Sequence, residues 1–258
     1  MSDNNSNNLD VKLDPEEMIQ QGVHFGHNPS KLHPDMEPYL YGIRNTINII
    51  DLEKTSEKLK EALKFIKKLK ENDKTLLVVG TKIQVQDLTK EFAEECDFPY
   101  VNERWIGGTF TNFDNISKRI NYLKDLEQQQ EEGEFEKYTK KEKADKEEEI
   151  QKLRRKFGGL KDLDGLPDAV LVLHMKKDDL AVKEAKKKGV KIVGIADTNV
   201  DPTDADYPIP ANDDAITSVQ YILEKIKQVA KDMEIPVGTE VIALDGSYLM
   251  PGMGDPHT

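Results

Sequence analysis

The chain has 258 residues, enough to bury a full core in one large domain or two smaller ones. It is 37% hydrophobic and 33% charged, with a mean hydropathy of -0.66, and no apolar run approaches the roughly 18 residues of a bilayer-spanning helix, which argues against a membrane partner. The one cysteine, Cys96, cannot form an internal disulfide, and we therefore expect a reducing, cytoplasmic location.

The net charge of -12 argues at first against a nucleic-acid partner, but its distribution weakens that argument. Residues 1–20 carry one basic and five acidic residues, and residues 201–258 carry three basic and eleven acidic ones. The residues between them are therefore neutral overall and can gather basic patches. A phosphate-bearing partner is not excluded.

The N-terminal elements begin after a polar, acidic segment. Residues 1–14 show neither the basic start nor the apolar stretch of a signal peptide, and we expect a disordered tail. Residues 15–22, PEEMIQQG, predict a short helix that ends at glycine. A loop that opens with GVHFGH and is rich in Gly, Pro and His leads to a first strand in YGIRNTINIID, and Thr55 or Ser56 should cap the next helix.

The rest of the chain alternates strands with helices. TLLVVG (75–80) is a continuous apolar run, typical of a strand buried on both faces of a parallel sheet. A helix and the short strand PYVN follow, and after an interruption come DAVLVL, a Lys-rich helix ending at Gly189, KIVGIAD and YPIP. Asn212, Asp213 and Asp214 open a last helix. The pattern predicts an α/β fold with a Rossmann-like, doubly wound parallel sheet.

The interruption, residues 112–160, has a different pattern. Charged residues number 24 of the 45 between Ser117 and Lys161, and sparse apolar residues recur at coiled-coil spacing in two arms. Gly133 separates the arms, and Thr139 with Glu142 predicts a capping box at the start of the second. We therefore expect an inserted antiparallel coiled-coil hairpin between the two parts, 15–111 and 161–232, of a discontinuous α/β domain, followed by a C-terminal extension, 233–258.

Two short motifs suggest phosphate chemistry. VVGTK follows a strand but lacks the full P-loop pattern, so its glycine is better explained as the end of the strand. ERWIGGTFTNF (103–113) combines an arginine, a glycine pair and hydroxyl groups that suit phosphate and sugar oxygens. Its aromatic residues suit packing at the base of the hairpin equally well.

The histidines of GVHFGH leave two alternatives open. His24 and His27 could ligate a metal if Asp197, at a strand end, and Asp213 or Asp214, at a helix start, lie nearby. Alternatively, the histidines form hydrogen bonds in a loop whose shape requires glycine. No base-and-nucleophile constellation is present, which argues against an enzyme.

Seven motifs together resemble a known family. GVHFGH, PYLYGIRNTINIIDLEKT, LLVVGTK, PYVNERWIGGTFTNF, GGLKDLDGLPDAVLV, IADTN and DYPIPANDDAI occur in the order of the bacterial ribosomal protein S-two family, over about residues 16–230. The resemblance implies a non-enzymatic structural constituent of the small ribosomal subunit that requires no cofactor. It would bind ribosomal RNA at the head–body junction, contact other ribosomal proteins and help dock ribosomal protein S-one; no small-molecule substrate is implied.

The resemblance also implies site residues. The RNA-facing candidates at matching positions are His24, His27, Lys31, Arg44, Asn45, Lys82, Arg104, Thr109, Asn112, Lys118 and Arg119. A structural divalent ion, zinc in particular, would be held by His27, Asp197 and Asp214. The segment NPSKLHPDM departs from the family, which has a basic, Trp-containing run there, and the C-terminal extension matches none of its motifs.

Two other classes of protein remain as alternatives. A metal hydrolase would use the histidine–carboxylate cluster with an open coordination position. A free-standing coiled-coil adaptor would self-associate through residues such as Ile120 and Leu153.

Overall fold

The structure is a computed structural model that describes residues 11–231. Most of the predicted tail and all of the predicted C-terminal extension lie outside this range. Val11 and Leu13, within the predicted tail, are partly buried against the core, and Asp14 caps helix α1 (Pro15–Gln20). The α/β unit therefore extends toward the N-terminus at least to residue 11.

The first predicted strand is instead a two-stranded hairpin. Strand β1 (Leu40–Arg44) pairs antiparallel with β2 (Ile47–Ile50) and forms a sheet of its own. Asn45 and Thr46 make the turn with φ of 47° and 63°, in the left-handed region. Asparagine tolerates that region, whereas threonine rarely adopts it, so the turn was not evident from the sequence.

Helix α2 (Leu52–Glu71) also begins earlier than predicted. Its cap is Asp51, whose carboxylate accepts a hydrogen bond from the backbone N–H of Glu53 at 2.9 Å. Thr55 lies inside the helix, where its buried hydroxyl donates to the carbonyl of Pro210 at 2.6 Å. The prediction of Thr55 or Ser56 as the cap was wrong.

The main sheet has five parallel strands, as the alternating pattern predicts. In chain order they are β3 (Leu76–Val79), β4 (Tyr100–Val101), β5 (Ala169–Val172), β6 (Lys191–Ala196) and β7 (Tyr207–Pro210). Their order across the sheet is β4-β3-β5-β6-β7. After β3 the chain forms β4 on one side of it, and the next strand, β5, lies on the other side of β3. The boundary between β3 and β5 is therefore the topological switch point of a doubly wound, Rossmann-like sheet.

Helices cover both faces of the sheet. Leu76 and Val78 point to one face and share a core cluster with α2, α3 (Gln86–Cys96) and α7 (Ile216–Lys231). Leu77 and Val79 point to the other face, which packs against α6 (Asp179–Lys188) and shares a second core cluster with side chains of α4 (Phe113–Glu131) and α5 (Lys140–Phe157). This alternation explains why the strands are apolar along their whole length.

Helices α4 and α5 occupy the predicted insertion. Gly133 lies between them with φ of 73°, and the predicted capping box of Thr139 and Glu142 opens α5. Most of the large apolar side chains of both helices are buried, and Arg154 of α5 donates to the carboxylate of Glu127 on α4 at 2.5 Å. The two helices are established, and their description as an antiparallel coiled coil stays a prediction.

Candidate nucleic-acid interface

The fold gathers several of the predicted site residues at one edge of the sheet, together with His174. Lys82 follows β3, Arg104 follows β4, and His174 follows β5. Asp197 follows β6, and the pair Asp213–Asp214 follows β7. Parallel strands end at a common edge, so residues far apart in the sequence become neighbours around the switch point.

The GVHFGH segment lies along this edge and forms an isolated antiparallel bridge to β2, between Phe25 and Ile49. Its backbone exchanges hydrogen bonds with β2, including Gly26 N–H to the Asn48 carbonyl at 2.9 Å and Ile50 N–H to the His24 carbonyl at 2.8 Å. Its other contacts are with the residues that follow β6 and β7: His27 N–H donates to the Thr198 hydroxyl at 2.8 Å, and Asn212 N–H to the Val23 carbonyl at 3.0 Å. The segment therefore joins the hairpin to the main sheet.

Close approach explains the second glycine of this segment. A Cβ atom on Gly26 would lie 2.4 Å from the Thr198 Cγ2 and 3.1 Å from the Asn48 carbonyl oxygen. We expect Gly26→Ala to lower the free energy of unfolding by about 1–3 kcal/mol, because Thr198 must move and weaken its bonds to His27 and Asp197. Urea denaturation would measure the loss. Gly165→Ala, where a Cβ meets open space, is the control and should change stability by less than about 0.5 kcal/mol.

His27 lies between two carboxylates. Its Nδ1 is 3.0 Å from Oδ1 of Asp197, and its Nε2 is 3.3 Å from Oδ2 of Asp214. The hydrogen bond to Asp197 raises the pKa of His27 despite partial burial, and the charges of Asp214 and Asp213 act in the same direction. The structure thus brings together the three residues predicted to hold a metal.

These three residues have suitable donors for zinc but are not arranged around one point. The two carboxylates lie at opposite nitrogens of the imidazole ring, whereas ligands of one ion must converge on it. The Lys82 ammonium contacts Asp214, and this hydrogen bond lowers the pKa of that carboxyl. As arranged, His27 and Lys82 supply the positive charge that an ion would otherwise provide, so the residues do not fit a single bound metal.

Two further buried groups lie beside this cluster: Asp213, which the sequence offered as an alternative ligand to Asp214, and His174, which was not predicted as a site residue. Burial, reinforced by the charge of Asp197, raises the pKa of Asp213 to about 7. Burial and the nearby Lys82 charge lower the pKa of His174 to about 4, and neither of its ring nitrogens has a hydrogen-bond partner. Both groups line a cleft of about 530 Å³ at the switch point.

The glycine-rich loop after β4 is held by a carboxylate of the protein itself. Glu184 of α6 is buried, and its oxygens accept hydrogen bonds from the backbone N–H groups of Gly108 at 2.6 Å, Phe110 at 2.9 Å and Thr111 at 3.2 Å. Burial opposes ionisation of Glu184, but these bonds outweigh it and lower its pKa. These backbone N–H groups of the glycine-rich loop are therefore already occupied and do not bind a phosphate.

The aromatic residues of this loop have the packing role that the sequence left open. Trp105 and Phe110 are buried and meet edge to face, with ring centroids 4.9 Å apart. Thr109 is 1% exposed, and its hydroxyl donates to the carbonyl of Ile106 at 2.6 Å. Thr109 supports the loop and does not present a donor to an RNA.

The remaining RNA-facing candidates divide by exposure. His24 is partly buried, and burial followed by the Arg44 charge lowers its pKa, which makes it a poor phosphate ligand. His27 and Lys82 are engaged with aspartates. The fully accessible candidates are Lys31, Arg44, Asn45, Arg104, Asn112, Lys118 and Arg119.

One exposed aromatic residue was not predicted as a site residue from the sequence. Tyr41 on β1 is 82% exposed, beside Ile43 at 64%, on the same hairpin as Arg44. An apolar residue in a predicted strand was expected to be buried in the sheet. Recognition of the Asn45–Thr46 turn would have indicated a projecting hairpin with an outward face.

Within residues 11–231, no helix is both long and apolar enough to cross a membrane.

Comparison with known protein families finds a match over residues 18–232 to the family described as "Ribosomal protein S2". The match covers most of the chain and includes the edge of the sheet, the glycine-rich loop and both inserted helices. It agrees with the resemblance carried by the seven motifs. The chain therefore belongs to the ribosomal protein S2 family, a family of non-enzymatic structural constituents of the small ribosomal subunit.

Proposed function

We propose that this chain binds small-subunit ribosomal RNA at the head–body junction through the exposed cations at and beside the carboxyl edge of its sheet. The observation that carries the proposal is their lack of carboxylate partners. Among the described residues, Lys31, Arg44, Arg104, Lys118 and Arg119 form no ion pair, whereas Lys82 is paired with Asp214. Cations without internal partners remain available to phosphate oxygens.

Part of this surface lies at the base of helix α4. Arg104 and Asn112 flank the loop that Glu184 holds, and Lys118 and Arg119 lie in the second turn of the helix. The packed Trp105 and Phe110 fix the loop against the sheet, so these side chains start from a rigid backbone. The N-terminus of a helix adds its own attraction for an anion.

A second part is the β1–β2 hairpin. It presents Arg44 and Asn45 at its turn and the exposed ring of Tyr41 on its outward face. The ring of Tyr41 suits stacking with an unpaired RNA base, and Arg44 at the turn suits a phosphate. The hairpin therefore supports recognition of folded RNA with single-stranded elements.

Three finer parts of the proposal are supported by the resemblance to the family. They are the docking of ribosomal protein S-one, bacterial origin with a cytoplasmic location, and an antiparallel coiled coil formed by α4 and α5. The buried apolar residues of both helices favour the last of these. The proposal requires no cofactor, and it does not include the zinc predicted at His27, Asp197 and Asp214, because these residues do not converge on one point.

Charge reversal at Arg104 tests the proposal. We expect Arg104→Glu to lower occupancy of small subunits in a sucrose gradient, because the variant loses one phosphate contact. The slope of the logarithm of affinity against that of salt concentration should become shallower by about 0.8. The control is Lys64→Glu on α2, an exposed, unpaired lysine of a helix on the other face of the sheet.

Wild-type occupancy and an unchanged salt slope for Arg104→Glu would remove this residue from the interface. Circular dichroism should show both variants folded, since neither side chain is buried. A wild-type protein that remains at the top of the gradient, with subunits complete without it, would refute the RNA proposal as a whole.

A further inference from the structure

A second cluster of metal-ligand residues lies away from His27. His33, Asp35 and Asp201 each offer a ligand atom, and these atoms lie within 4.8 Å of one another. The imidazole Nδ1 of His33 is 3.6 Å from Oδ2 of Asp35. Within residues 11–231 it is the one set of His, Cys, Asp or Glu residues that converges in this way.

The backbone holds the ligands in place before any ion binds. His33 caps a 3-10 turn that begins with Pro34, and Asp201 caps another that begins with Pro202. Proline fixes φ at the start of each turn. The N–H of His33 also donates to the carbonyl of Thr198 at 2.8 Å, which ties the first segment to the one that carries Asp201.

The charges around the cluster favour a cation. Two neighbouring carboxylates are already neutralised: Asp179 contacts Lys183 at 2.6 Å, and Asp204 contacts Lys186 at 2.5 Å. Asp35 and Asp201 form no ion pair with a lysine or arginine of the described chain, although the charge of Lys186 acts on Asp201 and Lys176 lines the same cleft. Two carboxylates that share one imidazole leave negative charge for an ion to neutralise.

We infer that His33, Asp35 and Asp201 form a binding site for Zn²⁺, with one nitrogen and two oxygen donors. Ligand bonds of 2.0–2.2 Å in a tetrahedral site place donor atoms about 3.3–3.6 Å apart, close to the observed 3.6 Å between His33 Nδ1 and Asp35 and a small movement from the 4.8 Å limit. The lone pair of His33 Nδ1 accepts a long, 3.4 Å hydrogen bond from Asp35 N–H, and the ion would replace that bond. The adjoining cleft of about 370 Å³, lined by His33 and Asp201, leaves room for water at the fourth position. The ion would fasten the segment before the β1–β2 hairpin to the β6–β7 connection.

The test uses the full chain stripped of metal, with Zn²⁺ alone as the probe, in equilibrium dialysis. His33→Asn and Asp201→Asn remove ligands but keep a side-chain oxygen that can accept the capping bonds from Asp35 N–H and Thr203 N–H. We expect each variant to bind one zinc fewer per chain than the wild type. Asp179→Asn, in the same cleft but paired with a lysine, should bind as the wild type does.

Two outcomes would overturn the inference: a wild type that binds no zinc, or equal stoichiometry in wild type and His33→Asn. Asp197→Asn separates this site from the one predicted at His27. That variant should bind as much zinc as the wild type, because Asp197 is not a ligand of the His33 site. The circular dichroism spectrum of His33→Asn should match that of the wild type, so ligand loss can be distinguished from loss of folding.

Discussion

Glu184→Ala should be among the most destabilising single substitutions in this chain. The carboxylate is buried and satisfies three backbone N–H groups of the glycine-rich loop, so alanine leaves three donors without a partner. Each unsatisfied buried donor costs about 1–3 kcal/mol, although movement of the loop and entry of water reduce the sum. We expect a loss of about 3–5 kcal/mol in the free energy of unfolding.

The chain provides its own probe for this loop. Trp105 is the only tryptophan, and it packs on Phe110, whose backbone N–H is one of the three that Glu184 binds. Its fluorescence therefore reports on the loop directly. Its emission should shift to longer wavelength in Glu184→Ala as the ring meets water. Lys187→Ala, at an exposed position of the same helix, is the control and should leave stability and emission unchanged.

Glu184→Gln separates the contribution of the carboxylate charge from that of the side-chain shape in holding the glycine-rich loop. The pKa of Glu184 is lowered on folding, so its ionised form contributes stability that is complete above the unfolded-state pKa, near 4.5, and is lost as pH falls through the folded-state pKa. The difference between wild type and Glu184→Gln should therefore shrink in acid. An equal difference at pH 3 and pH 7 would mean that the carboxylate charge has no part in holding the loop.

Glu184→Ala also tests whether the position of the loop is needed for RNA binding. If Glu184 positions Arg104 and Asn112, the variant should associate less with small subunits even where it remains folded. The salt slope should fall along with affinity, as in Arg104→Glu. Wild-type association by a folded Glu184→Ala protein would show that the loop can rearrange without cost to binding.

Local patterns made much of the sheet and its helices predictable. TLLVVG and DAVLVL form continuous apolar runs because both faces of the sheet are covered. Such a run can be recognised from consecutive residues alone. The capping box at Thr139 and the glycine after α6 are likewise local signals. The β1–β2 turn could not be predicted in this way, because it is formed by Asn45 and Thr46 and contains no glycine.

The site was only partly predictable, for a physical reason. Asp197 and Asp214 could be placed near His27 because strand ends converge at one edge. Glu184 lies on AVKEAKKK, a segment whose lysines indicate an exposed helix, and its partners lie more than seventy residues away in the sequence. Contacts between residues so far apart in the sequence depend on how the helices pack, and the residues adjacent to Glu184 give no signal of them.

The aspartates after β7 should respond to pH in opposite directions, although they are adjacent in the sequence. Asp213 is buried next to the charge of Asp197, and its pKa is raised to about 7. The folded chain therefore holds a proton that the unfolded chain releases from about pH 4 upward, so stability falls as pH rises toward 7. A shift of about three units corresponds to at most about 4 kcal/mol, fully lost above pH 7.

Asp213→Asn should thus raise the free energy of unfolding at pH 8 and change it little at pH 4, because asparagine carries no charge to bury. Asp214→Asn is the matched comparison. The Lys82 contact lowers the pKa of Asp214, so its charge stabilises the fold above pH 4 and its loss should destabilise the chain at pH 8. Urea denaturation of both variants in a buffer with chelator measures the two effects free of metal. A loss of stability at pH 8 in both variants would mean that Asp213 is ionised in the native protein, with Lys82 and His27 compensating its charge.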